Sequence, residues 1–386
     1  MPVPELFEKY VLNNNVEVPS RLVAAPLTLF CSDPKIAISD EERDFLGTRG
    51  KNYGLYILGA CAVSREGIAF NNQPISFTEE DIPALVEKAK VIKANDPKVK
   101  IINQIHHGGL LGIKQYSGLQ PVGPSADIVN QKLKEVGKLT EDSKIRELTN
   151  EEIENLIQCF AKAAELSLKA GHDGVEIHGA NNYLIQQFYS RYTNNRSDGW
   201  GGSNANRMKF GLRIIDEICK VRDKYNRPDF IIGYRLSPEE PFEEGITMTD
   251  TLELVRELVK KPIQFIHVSQ ANIFQSARRG EGAGTERLKL IYNETKGKMA
   301  LIGCGGLFNE NQFKSAIEKD FCEFYAVGKA NMLNKDLGVL LQNGGEVDEA
   351  LDPSHPEKYL IPKLLWNMTL KTNEGWLPSV KQNNSN

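Results

Sequence analysis

The stretch "TNEEIENLIQCFAKAAELSLKAGHDGVEIHGA" (residues 149–180) contains the unit from which we predict the fold. Thr149 and Glu152 have the spacing of a capping box, in which each side chain bonds to the backbone N–H of the other residue. The residues that follow place apolar side chains on one helical face, and Gly171 suits the position just after a helix. The short apolar run 174–180 is typical of a buried strand. The stretch therefore predicts one helix followed directly by one strand.

Short apolar runs of the same kind recur along the chain. They are "RLVAAPLT" (21–28), "GLYILGA" (54–60), "KIINQIH" (100–106), "GVEIHGA" (174–180), "FIIGYRLS" (230–237), "FIHVSQ" (265–270), "ALIGCGG" (300–306) and "FYAVGKA" (324–330). The segments between them predict helices at 79–96, 149–171, 205–225, 248–260, 285–296, 309–320 and 334–342. Strands that alternate with helices build a parallel sheet, and eight such units favour a (β/α)₈ TIM barrel of the α/β class. The alternative is an open doubly wound sheet, but no G-x-G-x-x-G motif follows the first run, where a dinucleotide-binding fold has it.

One connection is too long to be a simple turn. The segment after the third strand, residues 107–148, has no strong helical periodicity. Long loops inside compact domains are usually functional or form small subdomains. We interpret this one as a capping insertion in the β3–α3 connection, with a β-hairpin as one possible form, within a barrel that spans residues 1–345. Residues 346–386 form a C-terminal extension, and we expect its last residues to be disordered.

The composition excludes several classes of protein. The net charge is −4 and no block of basic residues occurs, so we expect no nucleic-acid partner and no membrane surface. No apolar run approaches the ~18 residues that a membrane span needs, and the first residues lack the apolar core of a signal peptide. The six cysteines lie at least 18 positions apart, which excludes a local zinc or iron–sulfur ligand set, so no metal site is predicted. Scattered thiols without an export signal indicate reduced cysteines in a cytoplasmic protein.

Polar residues cluster where the predicted strands end. In barrels of this type the active site forms at the carboxyl ends of the strands. Alone, each residue has a structural explanation: Gln104 could satisfy backbone groups, and Arg235 could pair with the interior carboxylate of Glu176. Burying several polar side chains together is costly unless their hydrogen bonds are satisfied, so their position at one end of the barrel predicts a ligand site. The residues are Thr28, Gln104, His106, His107, His178, Asn181, Tyr183 and Arg235.

Glycines at the ends of the last two strands predict what the ligand carries. Gly305 and Gly306 end the seventh run, and Gly328 is followed by Lys329 in the eighth. Exposed N–H groups at these positions form the usual phosphate site of such barrels, and the lysine adds a positive charge. The buried arginine and glutamine suit the hydrogen-bonding edge of a planar ring. A phosphate and a heteroaromatic ring predict flavin mononucleotide (FMN). Pyridoxal phosphate competes, but no strand-borne lysine stands out to form its Schiff base.

With these residues in place, the chain resembles the old yellow enzyme family of flavin-dependent ene-reductases and NADH:flavin oxidoreductases. The His-x-x-Asn-x-Tyr constellation of residues 178–183, followed by Asn-x-Arg-x-Asp-x-Trp-Gly-Gly-Ser, is a specific sign of it. Further matching motifs, in the family's order, are "RLVAAPLT", "QIHHGG", "GPSA", "RELTNEEIENLIQCFAKAA", "YRLSPEE" and "YAVGKA". The resemblance implies a barrel that binds FMN and takes electrons from NADH or NADPH.

The resemblance also implies roles for individual residues. His178 and Asn181 would bind the substrate, and Tyr183 would donate a proton. The implied flavin contacts are Ala25, Pro26, Leu27, Thr28, Ala60, Gln104 and Arg235, with Gly306, Gly328 and Lys329 at the phosphate. The implied reaction transfers hydride from NAD(P)H to the C=C bond of an α,β-unsaturated carbonyl compound. The partner is then a small-molecule electron acceptor such as an enone, a quinone or a nitro compound.

The chain departs from the family pattern at a few positions. Lys329 stands where an arginine is common, which keeps a cation at the phosphate but loses bidentate geometry. "LGAC" replaces the more usual acidic-Ala-Thr after the second strand, and His106 stands where an aromatic or small residue is frequent. The larger relatives carry an iron–sulfur cluster and further domains. This chain has neither their cysteine cluster nor their length, so it resembles the short, FMN-only members.

Other functions stay open at this level. An oxidoreductase of the same type could pass electrons to oxygen, a quinone, a nitro compound or an azo compound, and would need no proton donor. A phosphate-binding barrel lyase or aldolase would bind no flavin, and a flavin carrier would not turn over. The sequence leaves undecided the physiological substrate, the choice between NADH and NADPH, and whether the chain forms a homo-oligomer. The roles of His106, His107 and the insertion are equally undecided.

Overall fold

In the computed structural model, which describes residues 2–33, 36–135, 140–372 and 374–381, eight parallel strands close into a barrel. Each strand pairs with its successor in the chain, and the last pairs with the first. The strands are β1 (Leu22–Ala24), β2 (Leu55–Ala62), β3 (Lys100–His106), β4 (Gly174–Gly179), β5 (Ile231–Leu236), β6 (Phe265–Val268), β7 (Ala300–Cys304) and β8 (Phe324–Val327). The predicted barrel is confirmed, and the open sheet is wrong because β8 pairs with β1.

Helices surround the barrel and connect its strands. They are α1 (Asp40–Gly47), α2 (Ile82–Lys93), α3 (Lys114–Ser117), α4 (Asp127–Glu135), α5 (Asn150–Lys169), α6 (Leu184–Tyr189), α7 (Asn204–Lys224), α8 (Met248–Leu258), α9 (Arg287–Thr295), α10 (Glu310–Lys319), α11 (Lys329–Leu333), α12 (Leu337–Asn343), α13 (Pro356–Tyr359) and α14 (Lys363–Lys371). Short 3₁₀ turns occur at Pro4–Phe7, Arg65–Gly67, Glu79–Asp81 and Gly109–Leu111.

One helix begins later than the sequence predicts. The helix predicted over 334–342 forms as α12, but it begins at Leu337, because residues 334–336 separate it from the short helix α11. The Asn334 Nδ2 donates to Ala330 O and to Asp348 O, and its Oδ1 accepts from Asp348 N. These bonds to a distant segment stabilise a break that no local pattern predicts.

The helix–strand unit that predicted the fold forms as expected. At the start of α5, Thr149 Oγ1 accepts from Glu152 N at 3.2 Å, and Glu152 Oε2 accepts from Thr149 N at 2.8 Å. After the helix, Gly171 has a φ of 79°, a left-handed conformation that glycine adopts without steric cost. The chain then enters β4 after a two-residue link. The polar residues at the end of β4 are therefore held by a capped helix and a short turn.

The inside of the barrel is apolar at the amino ends of the strands and polar at their carboxyl ends. Successive side chains on a strand point to opposite faces, so every second residue points inward. Inward residues near the amino ends, among them Ile102 and Phe265, form a buried apolar cluster. Leu12 and Val18, from the hairpin of residues 10–18, belong to the same cluster and close that end. The opening of the barrel therefore lies at the carboxyl end.

The insertion of residues 107–148 is not a β-hairpin. Its strands Val122–Gly123 and Arg146–Glu147 pair in parallel, and α4 lies between them in the chain. A hairpin needs antiparallel neighbours, so that part of the prediction is wrong. Residues 136–139 of the insertion lie outside the described residues.

Arg196, in the loop after α6, ties the insertion to the barrel. Its Nη1 donates to Pro124 O at 3.0 Å, in the middle of the insertion, and to Leu148 O at 2.7 Å, at its last residue. Asp198 accepts from the same guanidinium at 2.6 Å and fixes its orientation. At the end of the same loop, the Ser203 side chain accepts from Asn206 N and caps α7.

The C-terminal extension packs against the barrel through buried Tyr359. The fully buried Arg49 donates from Nη2 to Tyr359 O at 2.7 Å. Farther along, Leu351 and Val380 form an isolated parallel bridge. Residues 382–386, for which we expect disorder, lie outside the described residues.

Gly233→Ala should destabilise the barrel. A Cβ at Gly233 would lie 2.0 Å from Phe265 Cζ, inside the closed end. Overpacking of a core costs roughly 1–3 kcal/mol, so the urea midpoint and the melting temperature should both fall. Gly199→Ala is the matched control, because its Cβ would meet Lys209 Nζ at an ordinary 3.5 Å. Equal stability of the two variants would contradict the packing described here.

Candidate active site

Polar residues on neighbouring strands lie at the same level inside the barrel. The backbone register places His178 on β4 opposite Arg235 on β5, and Arg235 opposite His267 on β6. Deeper in the barrel, Gln104 on β3 is opposite Glu176 on β4. All five side chains are buried. The structure therefore brings together Gln104, His178 and Arg235, as the sequence predicts.

A tight turn after β4 brings Asn181 and Tyr183 to the rim beside His178. Asn181 and Asn182 have φ values of 57° and 61°, a left-handed conformation that asparagine tolerates better than most residues. The Tyr183 N–H donates to Ala180 O at 3.2 Å, and Tyr183 occupies the N-cap position of α6. The ring centroids of His178 and Tyr183 are 5.1 Å apart. This turn explains why a buried strand ends in three polar side chains.

His178 is neutral and carries its proton on Nε2. Burial, reinforced by nearby His106 and Arg235, lowers the pKa of His178 well below its usual value. Its Nδ1 accepts a hydrogen bond from Ala180 N at 3.3 Å, so the single ring proton belongs on Nε2. The Nε2–H group is a donor that can bind a carbonyl oxygen or an anion.

Asn181 has its amide oriented by two serines. Ser269 Oγ donates to Asn181 Oδ1 at 2.9 Å, and Ser237 Oγ donates to the same oxygen at 3.5 Å. Ser237 Oγ also accepts from the backbone N–H of Asn181 at 2.9 Å. Because the amide oxygen is used in this way, Nδ2 is left as a donor at the exposed edge of the site. The sequence analysis missed both serines, since a serine after a strand is a common turn residue.

An aromatic wall lies beside Tyr183. Its ring centroid is 4.3 Å from that of His106 and 6.0 Å from that of Phe70. Burial raises the pKa of Tyr183 to about 12, against the influence of Arg235, so the hydroxyl is protonated at neutral pH. Burial also lowers the pKa of His106 to about 3, and Gln73 Nε2 lies 3.0 Å from its Nδ1. His106 is thus an uncharged member of the wall.

His107 has a different environment. Its Nδ1 accepts from Gly109 N at 3.0 Å, and a Cβ at Gly67 would lie 2.6 Å from its imidazole. Its Nε2 is 3.9 Å from Glu66, and the nearby His107 lowers the pKa of Glu66 to about 2. His107 therefore holds two connections together and does not line the barrel opening.

Arg235 is a buried cation that has no ion-pair partner among the described residues. Its Nε is buried and makes no hydrogen bond in the described part of the chain. Glu176 instead accepts from Gln104 Nε2 at 2.7 Å and pairs with His267 Nδ1 at 2.8 Å, so the alternative that it neutralises Arg235 is wrong. Burying an unpaired guanidinium is costly. The arrangement suits a bound group that accepts hydrogen bonds or carries negative charge.

The predicted phosphate residues lie on two neighbouring strand ends. Gly305 and Gly306 have φ values of 121° and 71°, which favour glycine. Gly328 precedes α11 and Lys329 is its first residue, so the N–H groups there have no acceptor within the helix. Because β7 pairs with β8, these groups lie side by side. Together they offer backbone donors and one cation to an oxyanion.

Residues 25–28 lie between the ends of β8 and β2. The Ala25 N–H donates to the backbone of β8 at 3.0 Å. A Cβ on Gly59 would lie 2.1 Å from Leu27 O, so glycine is required for this close approach. Ala60, beside it, stands where the register of β2 shifts. The structure thus places every predicted cofactor residue at the open end of the barrel.

Comparison with known proteins bears on this arrangement. The model of the NADH:flavin oxidoreductase / NADH oxidase family matches residues 5–347. The chain belongs to this family. It is 36% identical over 375 residues to the probable NADH-dependent flavin oxidoreductase YqiG of Bacillus subtilis (strain 168), with 97% of each chain covered. It is 32% identical over 370 residues to the NADH:fumarate oxidoreductase of Klebsiella pneumoniae (strain 342), covering 95% of this chain but 39% of that longer protein.

Solved structures share the fold. The old yellow enzyme homologue from Zymomonas mobilis has a TM-score of 0.75 and 22% identity, covering 93% of this chain and 99% of that one.

The family match confirms the resemblance, an oxidoreductase activity, and FMN with NAD(P)H as the cofactors. The flavin-free lyase or aldolase is therefore wrong.

Among the described residues, no helix has the length and apolar character to cross a membrane.

The sequence analysis also missed His267, Phe70 and Gln73. A signal for His267 exists, because it alternates with Phe265 in the run "FIHVSQ" and the period of two places both side chains inside. Phe70 and Gln73 lie in an irregular connection, where no periodicity predicts the direction of a side chain.

We expect His178 and His106 to stay neutral between about pH 5 and 8, in contrast to the ordinary imidazole pKa near 6.5. Burial lowers both pKa values, so protonation requires a pH below this range. Histidine-selective labelling and NMR should show ring resonances that do not titrate, and the urea-unfolded protein is the control in which they do. A midpoint near 6 for His178 would contradict the proton assignment on Nε2.

Proposed function

We propose that this oxidoreductase is an ene-reductase, which takes hydride from NAD(P)H and reduces the C=C bond of α,β-unsaturated carbonyl compounds. The supporting observation is that the end of β4 and the turn after it carry three donors: Nε2–H of His178, Nδ2 of Asn181 and the protonated hydroxyl of Tyr183. Two neutral donors suit an oxygen on which negative charge develops, and a phenol suits a carbon that needs a proton. The family name also includes NADH oxidases, so the acceptor is the proposed part.

The residues present fit FMN. The buried, unpartnered Nε of Arg235 and the amide of Gln104 would hold the ring system. The segment Ala25, Pro26, Leu27 and Thr28 would line it with Ala60, and Gly305, Gly306, Gly328 and Lys329 would hold the phosphate. When bound, FMN supplies the redox chemistry between NAD(P)H and the acceptor.

His178 and Asn181 would polarise the substrate carbonyl. Both donors are fixed before the substrate arrives, His178 by Ala180 N and Asn181 by its serines. Preorganised donors of this kind contribute roughly 3–4 kcal/mol each to stabilisation of the transition state. Because His178 is neutral, its Nε2–H can donate a hydrogen bond without adding a second positive charge near Arg235.

Tyr183 would give the proton to the α-carbon. Its hydroxyl is protonated at neutral pH because burial raises its pKa to about 12. Arg235 acts on that pKa in the opposite direction, so its positive charge stabilises the tyrosinate that remains after transfer. The edge-to-face contact with His106 holds the ring in place. These conditions suit a general acid.

Tyr183→Phe should separate the two half-reactions. Enone reduction should slow by about 10²–10⁴-fold, the usual contribution of general acid catalysis. Reduction of the flavin by NADH or NADPH should change little, and quinone reduction should survive because it needs no carbon protonation. Stopped-flow absorbance measures each half-reaction, and Tyr116→Phe, at an exposed tyrosine of the insertion, is the control.

Two outcomes would contradict this assignment. Equal slowing of both half-reactions would mean that Tyr183 only shapes the pocket. Full retention of enone reduction would remove the proton donor and favour oxygen, quinones, nitro or azo compounds as the working acceptors.

Arg235→Met should lower both the affinity for FMN and its midpoint potential. The guanidinium would stabilise negative charge on a bound reduced flavin, and burial would strengthen that interaction. Arg235→Lys keeps the charge but not the planar fork, so it should give intermediate values. Fluorescence titration of the apoprotein and a spectroscopic redox titration measure the two quantities. Unchanged values in the methionine variant would show that the flavin binds elsewhere.

A further inference from the structure

Three hydrogen-bonded side chains lie buried inside the barrel, Gln104 and Glu176 one layer deeper than Arg235 and His267 level with it. Gln104 Nε2 donates to Glu176 Oε1 at 2.7 Å, and His267 Nδ1 lies 2.8 Å from Glu176 Oε2. The side chains of Glu176 and His267 are both fully buried. The three side chains link β3, β4 and β6, and no step proposed above uses Glu176 or His267.

Glu176 determines which end of the Gln104 carboxamide faces the ligand. An ionised carboxylate accepts hydrogen bonds but cannot donate them, so Gln104 must turn its NH₂ group toward Glu176. The Gln104 Oε1 then points away from Glu176. No described residue donates a hydrogen bond to this oxygen. The atom is not completely buried, so a ligand can reach it.

His267 holds Glu176 in this position. Burial opposes a charged imidazole, but the Glu176 carboxylate and the Cys304 side chain together raise the pKa of His267. The charged groups that face His267 are Glu176 and Arg235, with the Cys304 thiol beside them. Since each carboxylate oxygen has its own partner, Glu176 cannot rotate without breaking one buried bond. The carboxamide it orients is therefore fixed as well.

Arg235 and Gln104 together present a definite pattern to the ligand. Arg235 can only donate hydrogen bonds, whereas the oriented Gln104 presents an acceptor. The complementary ligand edge carries an oxygen or ring nitrogen acceptor next to an N–H donor. An imide edge, such as that of the flavin ring, has this pattern.

We propose that Glu176 is a positioning residue that, held by His267, fixes the Gln104 oxygen to accept from the imide N–H of the bound flavin. The inference rests on the placement of FMN proposed above. It assigns a role to the glutamate that lies two residues before His178, and to His267, which contacts neither substrate nor flavin in this scheme.

The test measures the dissociation constant of FMN for the apoprotein by quenching of flavin fluorescence. Glu176→Leu should weaken FMN about tenfold, the size expected for one misplaced hydrogen bond. Glu176→Gln should have a much smaller effect, because its amide oxygen can accept from Gln104 while its NH₂ faces His267. In a Gln104→Leu background, which is itself weakened, Glu176→Leu should cause no further loss. Asn103→Leu is the matched control: Asn103 is buried on the same strand but bonds outward to Ser167 at 2.9 Å.

A second measurement needs no change at Glu176, in case Glu176→Leu does not fold. FMN methylated at the imide nitrogen should bind wild-type protein about tenfold more weakly than FMN, since the N–H is lost. Gln104→Leu should abolish that difference. Retention of the difference in Gln104→Leu would overturn the inference.

The remaining outcomes separate this inference from the proposed function. Equal weakening by Glu176→Leu with and without Gln104 would show that Glu176 supports the fold generally, and would overturn the positioning role alone. An effect of Glu176→Gln as large as that of Glu176→Leu would show that charge matters rather than orientation, with the same consequence. Unchanged FMN affinity in Gln104→Leu would overturn the placement of the flavin, and this inference with it.

Discussion

Closure of the barrel is the constraint on which the rest of the structure depends. Once β8 pairs with β1, the alternation of side chains along each strand becomes a stack of inward-facing layers with no free edge. Apolar residues such as Phe265 fill the layers at the amino ends, and the N-terminal hairpin covers them. Polar side chains from different strands then meet in the layers at the carboxyl ends of the strands. His178, Arg235 and His267 lie at one level because the register leaves them no other position.

The charges in these layers are unevenly distributed, and this divides the site into two parts. At the rim, His178 and His106 are neutral and Tyr183 is protonated, so the groups there act through hydrogen bonds without net charge. On the neighbouring strands β5 and β6, Arg235 is positive and lies near the hydrogen-bonded pair of Glu176 and His267. An electron-rich ring is favoured on this side of the site. A polarisable, uncharged oxygen is favoured at the rim.

The sequence predicts the barrel and the cluster at its carboxyl end because both follow from local periodicity. The run ending in His178 and the glycines at 305–306 and 328 are visible without any long-range information. What fails is the choice of partners, because Glu176 bonds to Gln104 and His267 and not to Arg235. The late start of α12 has a similar cause, since Asn334 bonds to Asp348. Such choices depend on distances between segments far apart in the chain. For the same reason, Ser237 and Ser269 become visible only once the turn containing Asn181 is folded.

The clamp made by Arg196 has a consequence for how this protein can diverge. One guanidinium holds two backbone carbonyls of the insertion, Pro124 in its middle and Leu148 at its last residue, so these two points stay together whatever lies between them. The entropic cost of a longer loop rises only slowly with its length. The intervening chain can therefore change in length and sequence while the catalytic barrel is preserved. In an evolving lineage or in the laboratory, this position is where new recognition elements can be exchanged as a module.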